Sequence, residues 1–145
     1  MSSLNALSMI ARAAAGGRSA TGNVERHVEK SDTELAAVAQ KYLRMRRKRG
    51  DFFGADLFAD PAWEILLDLF AAGIEGRVVS ITSACIASGV PTTTALRWIT
   101  LLVSRGAVCR APDARDHRRS HLYLSTEAKA VMAEWLRALS QAYHD

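Results

Sequence analysis

Apolar residues recur at helical spacing in several stretches of the chain and alternate in one short stretch. After Ser31, the residues Leu35, Val38, Ala39, Tyr42 and Met45 fall every three or four positions, the period of one helix face. Ser31 can cap this helix, and Glu34 completes a capping box. Gly50 reads as its end. Asp60-Pro61 opens a second helix, with Asp60 as cap and Pro61 at the first helical position. Trp63, Leu66, Leu67 and Phe70 form its expected buried face, and Gly73 its stop. Val78-Val79 is a short strand candidate. Ser80 or Thr82 caps a short helix that runs through Ala87. The segment Ser88-Gly89-Val90-Pro91 is a turn, and a longer helix then runs to about Ser104, ended by Gly106.

Beyond that point the period changes. Ala107 to Arg110 reads as a strand, Pro112 to Arg119 as a polar loop, and Ser120 to Leu124 as the returning strand. Ser125 caps a last helix, with Ala128, Val131, Met132, Trp135, Leu136 and Leu139 on one face. The predicted fold is mainly α with a small β-hairpin. It is a winged helix-turn-helix with flanking N- and C-terminal helices. Three parts are expected. Residues 1–30 form a flexible segment rich in Ala, Ser and Gly, 31–50 a basic amphipathic helix suited to dimerisation, and 51–145 the winged domain with its C-terminal helix.

Composition narrows the function less than charge placement does. The chain has 145 residues, of which 49% are apolar and 23% charged, as in ordinary globular domains. No apolar run approaches the roughly 20 residues a membrane span needs, so no membrane partner is expected. Cys85 and Cys109 form no CxxC pair, which favours a reducing compartment, and the expected location is cytoplasmic, at the bacterial nucleoid. The net charge of +4 hides strong segregation, since residues 31–50 carry +4, 51–80 carry −5 and 81–119 carry +4. Like-sign blocks of this kind report on partners.

The second helix of a helix-turn-helix enters the major groove by its N-terminal residues. Thr92, Thr93, Thr94 and Arg97 hold that place, and Arg97 can read a guanine through two hydrogen bonds. Ala95, Trp98, Ile99 and Leu102 are expected to face the core. The hairpin tip carries Arg115, Asp116, Arg118 and Arg119, and arginine at a wing tip suits a narrow minor groove. Asp116 is expected to orient Arg118 or Arg115 through a charge-assisted bond. Arg44, Arg47 and Lys48 lie in a block of six cations between Lys41 and Arg49. That block suits a DNA backbone, or equally a solvated helix end at the negative pole of the dipole.

Asp113-x-Arg115-Asp116-x-Arg118 followed by Leu124-Ser125 resembles the wing signature of MarR-type winged-helix transcription regulators. Thr93-Thr94-Ala95 through Arg105-Gly106-Ala107-Val108 resembles their recognition helix and its exit. The resemblance covers residues 57 to about 130. It implies a homodimer that binds palindromic duplex DNA and usually represses. By the same resemblance, Arg118 is the minor-groove arginine, Asp116 its orienting partner, and Thr93, Thr94 and Arg97 major-groove residues. Members of that family usually follow the wing with a long C-terminal dimerising segment, whereas the about 20 residues after Ser125 allow one helix of modest length. The 31–50 helix is therefore expected to supply more of the dimer contact. No cofactor and no ligand is expected, and a small-molecule effector is left unassigned.

Other chemistries find less support. His117 and His121 are four apart, but on a loop and a strand, with no further ligand to complete a zinc site. No catalytic motif is present, so an enzyme is not expected. The alternatives that the residues leave open are a winged-helix module for a protein partner and a non-specific nucleoid-type DNA binder.

Overall fold

The computed structural model describes residues 30–145, and all but the last residue of the expected flexible segment lie outside it. Helix α1 spans Asp32–Phe53, α2 spans Pro61–Glu75, α3 spans Ile81–Ala87, α4 spans Thr92–Ser104 and α5 spans Thr126–Ala142. Strands β1 (Val79–Ser80), β2 (Val108–Pro112) and β3 (Ser120–Leu124) form one antiparallel sheet in the order β1-β3-β2. Val79 faces Leu122 across the first pair, and Arg110 faces Leu122 across the second. This is a winged helix-turn-helix, with β2 and β3 as the wing.

The caps follow the sequence closely. Ser31 and Glu34 form the capping box, with the Ser31 amide donating to the Glu34 carboxylate at 2.7 Å. Ser80 caps α3 and Ser125 caps α5, each hydroxyl accepting a backbone N–H at 3.1 Å. Asp60 precedes Pro61 as expected but makes no side-chain cap. Its carboxylate is drawn instead to the Arg46 guanidinium at 3.0 Å.

Two glycines expected to stop helices do not. Helix α1 continues past Gly50 and ends at Gly54. A Cβ at Gly50 would stand 3.0 Å from the Cα of Ala55, so this glycine lets the following 3-10 turn (Ala55–Phe58) fold back against the helix. Helix α2 continues past Gly73, which meets nothing nearby, and ends at Gly76 in a left-handed conformation.

Buried side chains gather in two clusters that share α2. Ile65, Leu69 and Ala72 join Ala95, Ile99 and Leu122 in a core beneath the helix-turn-helix and sheet. Leu67, Phe70 and Ala71 join Leu35, Leu43, Met132 and Leu136 in a second core between α1, α2 and α5. A helix buried on two sides shows no single apolar stripe, so Ile65 and Leu69 lie outside the face that its periodicity predicts. In α1 the packed position is Leu43, while Met45 is 56% exposed.

Trp98 departs from its expected core position and is 37% exposed. Ala95, Ile99 and Leu102 already fill the inward stripe of α4 at helical spacing, which leaves Trp98 at its edge. Trp135 is also partly exposed and packs edge-on against Trp63, with ring centroids 4.6 Å apart. Tyr42 completes this aromatic group, 5.3 Å from Trp135, and ties α1 to α2 and α5.

Candidate nucleic-acid interface

The helix-turn-helix is α3, the turn Ser88-Gly89-Val90-Pro91, and α4. Gly89 has φ +71°, a left-handed value that a side chain resists, and it reverses the chain between the helices. The buried Ser88 hydroxyl donates to the Cys85 carbonyl at 2.5 Å and accepts from the Val90 amide, so the turn is bonded on both sides.

Thr92, Thr93 and Thr94 are all exposed in the first turn of α4, which has no side-chain cap. Their hydroxyls and the uncapped amides form a donor-rich helix start of the kind that accepts an anion. Arg97 is exposed one turn on. Thr93, Leu96, Arg97 and Thr100 line a shallow depression on this outer face. Leu96, which no motif in the sequence marks, is 41% exposed amid these polar neighbours. An exposed leucine there can meet a thymine methyl, as threonine methyls can.

The wing loop is organised by two aspartates. Asp113 accepts from the Arg115 amide at 2.8 Å, and that bond holds its carboxyl below the usual carboxylate range. Asp116 accepts from the Arg118 amide at 3.1 Å and from Arg118 Nε at 3.2 Å. Arg119 Nε lies 3.9 Å from the other Asp116 oxygen. The Arg118 side chain is nevertheless 92% exposed, so it is braced at its base and projects into solvent. Arg115 and Arg119 are exposed beside it.

The three α1 cations differ in their contacts. Arg44 and Lys48 are exposed. Arg47 is exposed too, its side chain half in solvent, but its Nη2 donates to the Ala87 carbonyl at 3.1 Å and its Nε stands 3.9 Å from Glu64. The structure thus places Thr92–Thr94 and Arg97 on one helix face and Arg115–Arg119 on one loop. Arg47 stands apart from Arg44 and Lys48.

Among the described residues, no three His, Cys, Asp or Glu side chains converge on a metal position. No described helix is long and apolar enough to cross a membrane. An apolar cleft of about 500 Å³ opens between α2, α5 and the foot of the wing, lined by Trp63, Leu66, Met132 and Trp135, with Arg46 and Asp60 at its edge.

No protein-family model and no curated protein matches the chain. Solved structures do. The heme sensor protein PefR, in complex with heme and carbon monoxide, aligns with a TM-score of 0.50 and 20% identity, over 76% of this chain and 72% of that one. A mutant of MepR from S. aureus aligns with a TM-score of 0.50 and 14% identity, over 79% and 80%. A mutant of MarR from E. coli aligns with a TM-score of 0.49 and 20% identity, over 82% of each chain. At these identities PefR and MepR speak to the fold. It is the MarR-like winged-helix fold that the wing residues resemble.

Proposed function

We propose that this chain is a duplex-DNA-binding transcription regulator that reads sequence as a homodimer and acts as a repressor. The observation that carries the reading is the Asp116–Arg118 brace. A loop arginine 92% exposed, yet fixed at its Nε by a neighbouring carboxylate, is preorganised for a partner outside the chain. Thr92, Thr93, Thr94 and Arg97 offer base and phosphate contacts from α4, Arg115, Arg118 and Arg119 enter the minor groove, and Arg44 and Lys48 add backbone affinity. Residues 31–50, with the wing domain behind them, supply the dimer contact. The protein acts in the cytoplasm, at the nucleoid.

Selection of bound sequences from random duplex, at two salt concentrations, tests this. The expected result is two half-sites with centres about 34–36 Å apart, one per recognition helix. Enrichment of no sequence with a steep salt slope would make the protein a non-specific binder. No duplex binding even at low salt would favour the protein-partner module.

A further inference from the structure

Glu64 is a buried acid, 7% exposed. It lies in the first turn of α2, and its Oε2 sits beneath the turn of the helix-turn-helix. A Cβ built on Gly89 would stand 3.4 Å from that oxygen. Arg47 reaches the same place from α1, bonding the carbonyl of Ala87, the last residue of α3. One guanidinium therefore spans three elements that are far apart in sequence.

The neighbouring cations are otherwise engaged. Arg46 pairs with Asp60 at 3.0 Å, and Arg49 lies over the Phe58 ring and donates to the Arg46 carbonyl. Only Arg47 among these three bonds the end of α3, next to the turn. A cleft of about 190 Å³ opens beside this contact, lined by Arg47, Gly50, Glu64, Ala87 and Gly89. Stability does not explain the acid. Burial pushes the Glu64 carboxyl up despite the nearby arginines, and apolar replacements of buried pairs are often as stable or more so.

We infer that Arg47 and Glu64 are positioning residues, which lock the turn, and with it the start of α4, at one angle to α1. This rests on the DNA-binding reading and assigns Arg47 a task other than the phosphate contact first expected of it. The geometry makes the angle of the recognition helix depend on α1, the helix assigned to the dimer. Arg47 and Glu64 touch no base, yet they decide how Thr93 and Arg97 meet the groove.

The test uses the full chain and its selected duplex, across a salt series, with Arg47→Ala, Arg47→Lys, Glu64→Gln and the double variant Arg47→Ala/Glu64→Gln. Each single variant should lose about tenfold in affinity, and the double should lose no more than the worse single, because both break one coupled contact. The slope of affinity against salt should stay unchanged. A fall of about one in that slope for Arg47→Ala would make Arg47 a phosphate contact and overturn the inference. Full affinity in Arg47→Lys would also overturn it, since charge alone would then suffice. So would full affinity in Glu64→Gln.

Amide exchange in the free protein gives a readout that needs no DNA. The Ser88 and Gly89 amides, bonded to the Ala84 and Ile86 carbonyls, should exchange about tenfold faster in both single variants. Unchanged exchange would overturn the inference even if the DNA-binding reading stands. Faster exchange without any sequence selection by the wild type would uphold the lock and sink that reading instead.

Discussion

Asp116 holds Arg118 twice, accepting its backbone amide at 3.1 Å and its Nε at 3.2 Å, while the arginine side chain stays almost wholly in solvent. The bond to Nε leaves the far end of the guanidinium facing outward. An exposed pair of this kind contributes little to stability. Its effect lies in fixing direction before a partner arrives.

Arg118→Ala should therefore cost about 1–3 kcal/mol of duplex binding and change stability by no more than about 0.5 kcal/mol. Titration against the selected duplex, beside a thermal melt, checks both. Wild-type affinity in this variant would remove the wing from the interface.

Asp116→Ala separates charge from geometry. Removing a carboxylate near phosphates strengthens binding if net charge is all that counts. If the brace matters, affinity should fall by about 1 kcal/mol, the net worth of a typical hydrogen bond. Comparing the two proteins at one salt concentration decides the sign.

Gly89→Ala tests the turn. A side chain at φ +71° should cost about 1–2 kcal/mol. The added methyl meets Glu64 Oε2 at an ordinary contact distance of 3.4 Å, so the cost is one of backbone conformation. At about 4 °C per kcal/mol for a domain of this size, the melting temperature should drop by several degrees. An unchanged melt would mean that the turn adopts another conformation in solution.

Glu64→Gln should change stability in a pH-dependent way. Burial is the main cause that raises this carboxyl, and Asp60 adds to it, while Arg47, Arg46 and Arg49 pull the other way. A folded pKa above the unfolded one means that folding favours the protonated form. The stability this confers is complete below the unfolded pKa and is lost as pH rises through the folded value. Glutamine mimics the protonated form. The variant should then gain stability over wild type at about pH 7 and gain less at about pH 4, near the ordinary carboxylate value. Chemical denaturation at both pH values measures the difference. An equal gain at both would show that the carboxyl is not raised.

Much of the fold was legible because its signals are local. Ser31 with Glu34, Ser80 and Ser125 cap helices through bonds three residues long, and each helix starts where they stand. The Ser88–Pro91 turn and the strand Ser120–Leu124 were readable for the same reason, whereas β2 runs on to Pro112, expected in the loop, because Pro112 pairs with Ser120 across the hairpin. Gly50 and Gly73 misled because a glycine marks a helix end only when its own backbone turns. At Gly50 the deciding partner is Ala55 across a fold-back. The two-sided burial of α2 depends on elements brought from both ends of the chain, which no periodicity within α2 reports.

The candidate site divides along the same line. The Asp116–Arg118 brace spans two residues and could be expected from the loop alone. The companion bond, from the Arg115 amide to Asp113, is as local, since aspartate commonly accepts from the amide two positions on. The bond from Arg47 to Ala87 crosses 40 residues, and only the fold reveals it. In the sequence, nothing sets Arg47 apart from the other cations of its basic run.

The passage of α1 beyond Gly50 gives it 22 residues, a rod of about 33 Å at 1.5 Å per residue. The buried residues of this rod end at Leu43, so the ten that follow, which carry Arg44, Arg47 and Lys48, reach about 15 Å past its packed stretch like a spar.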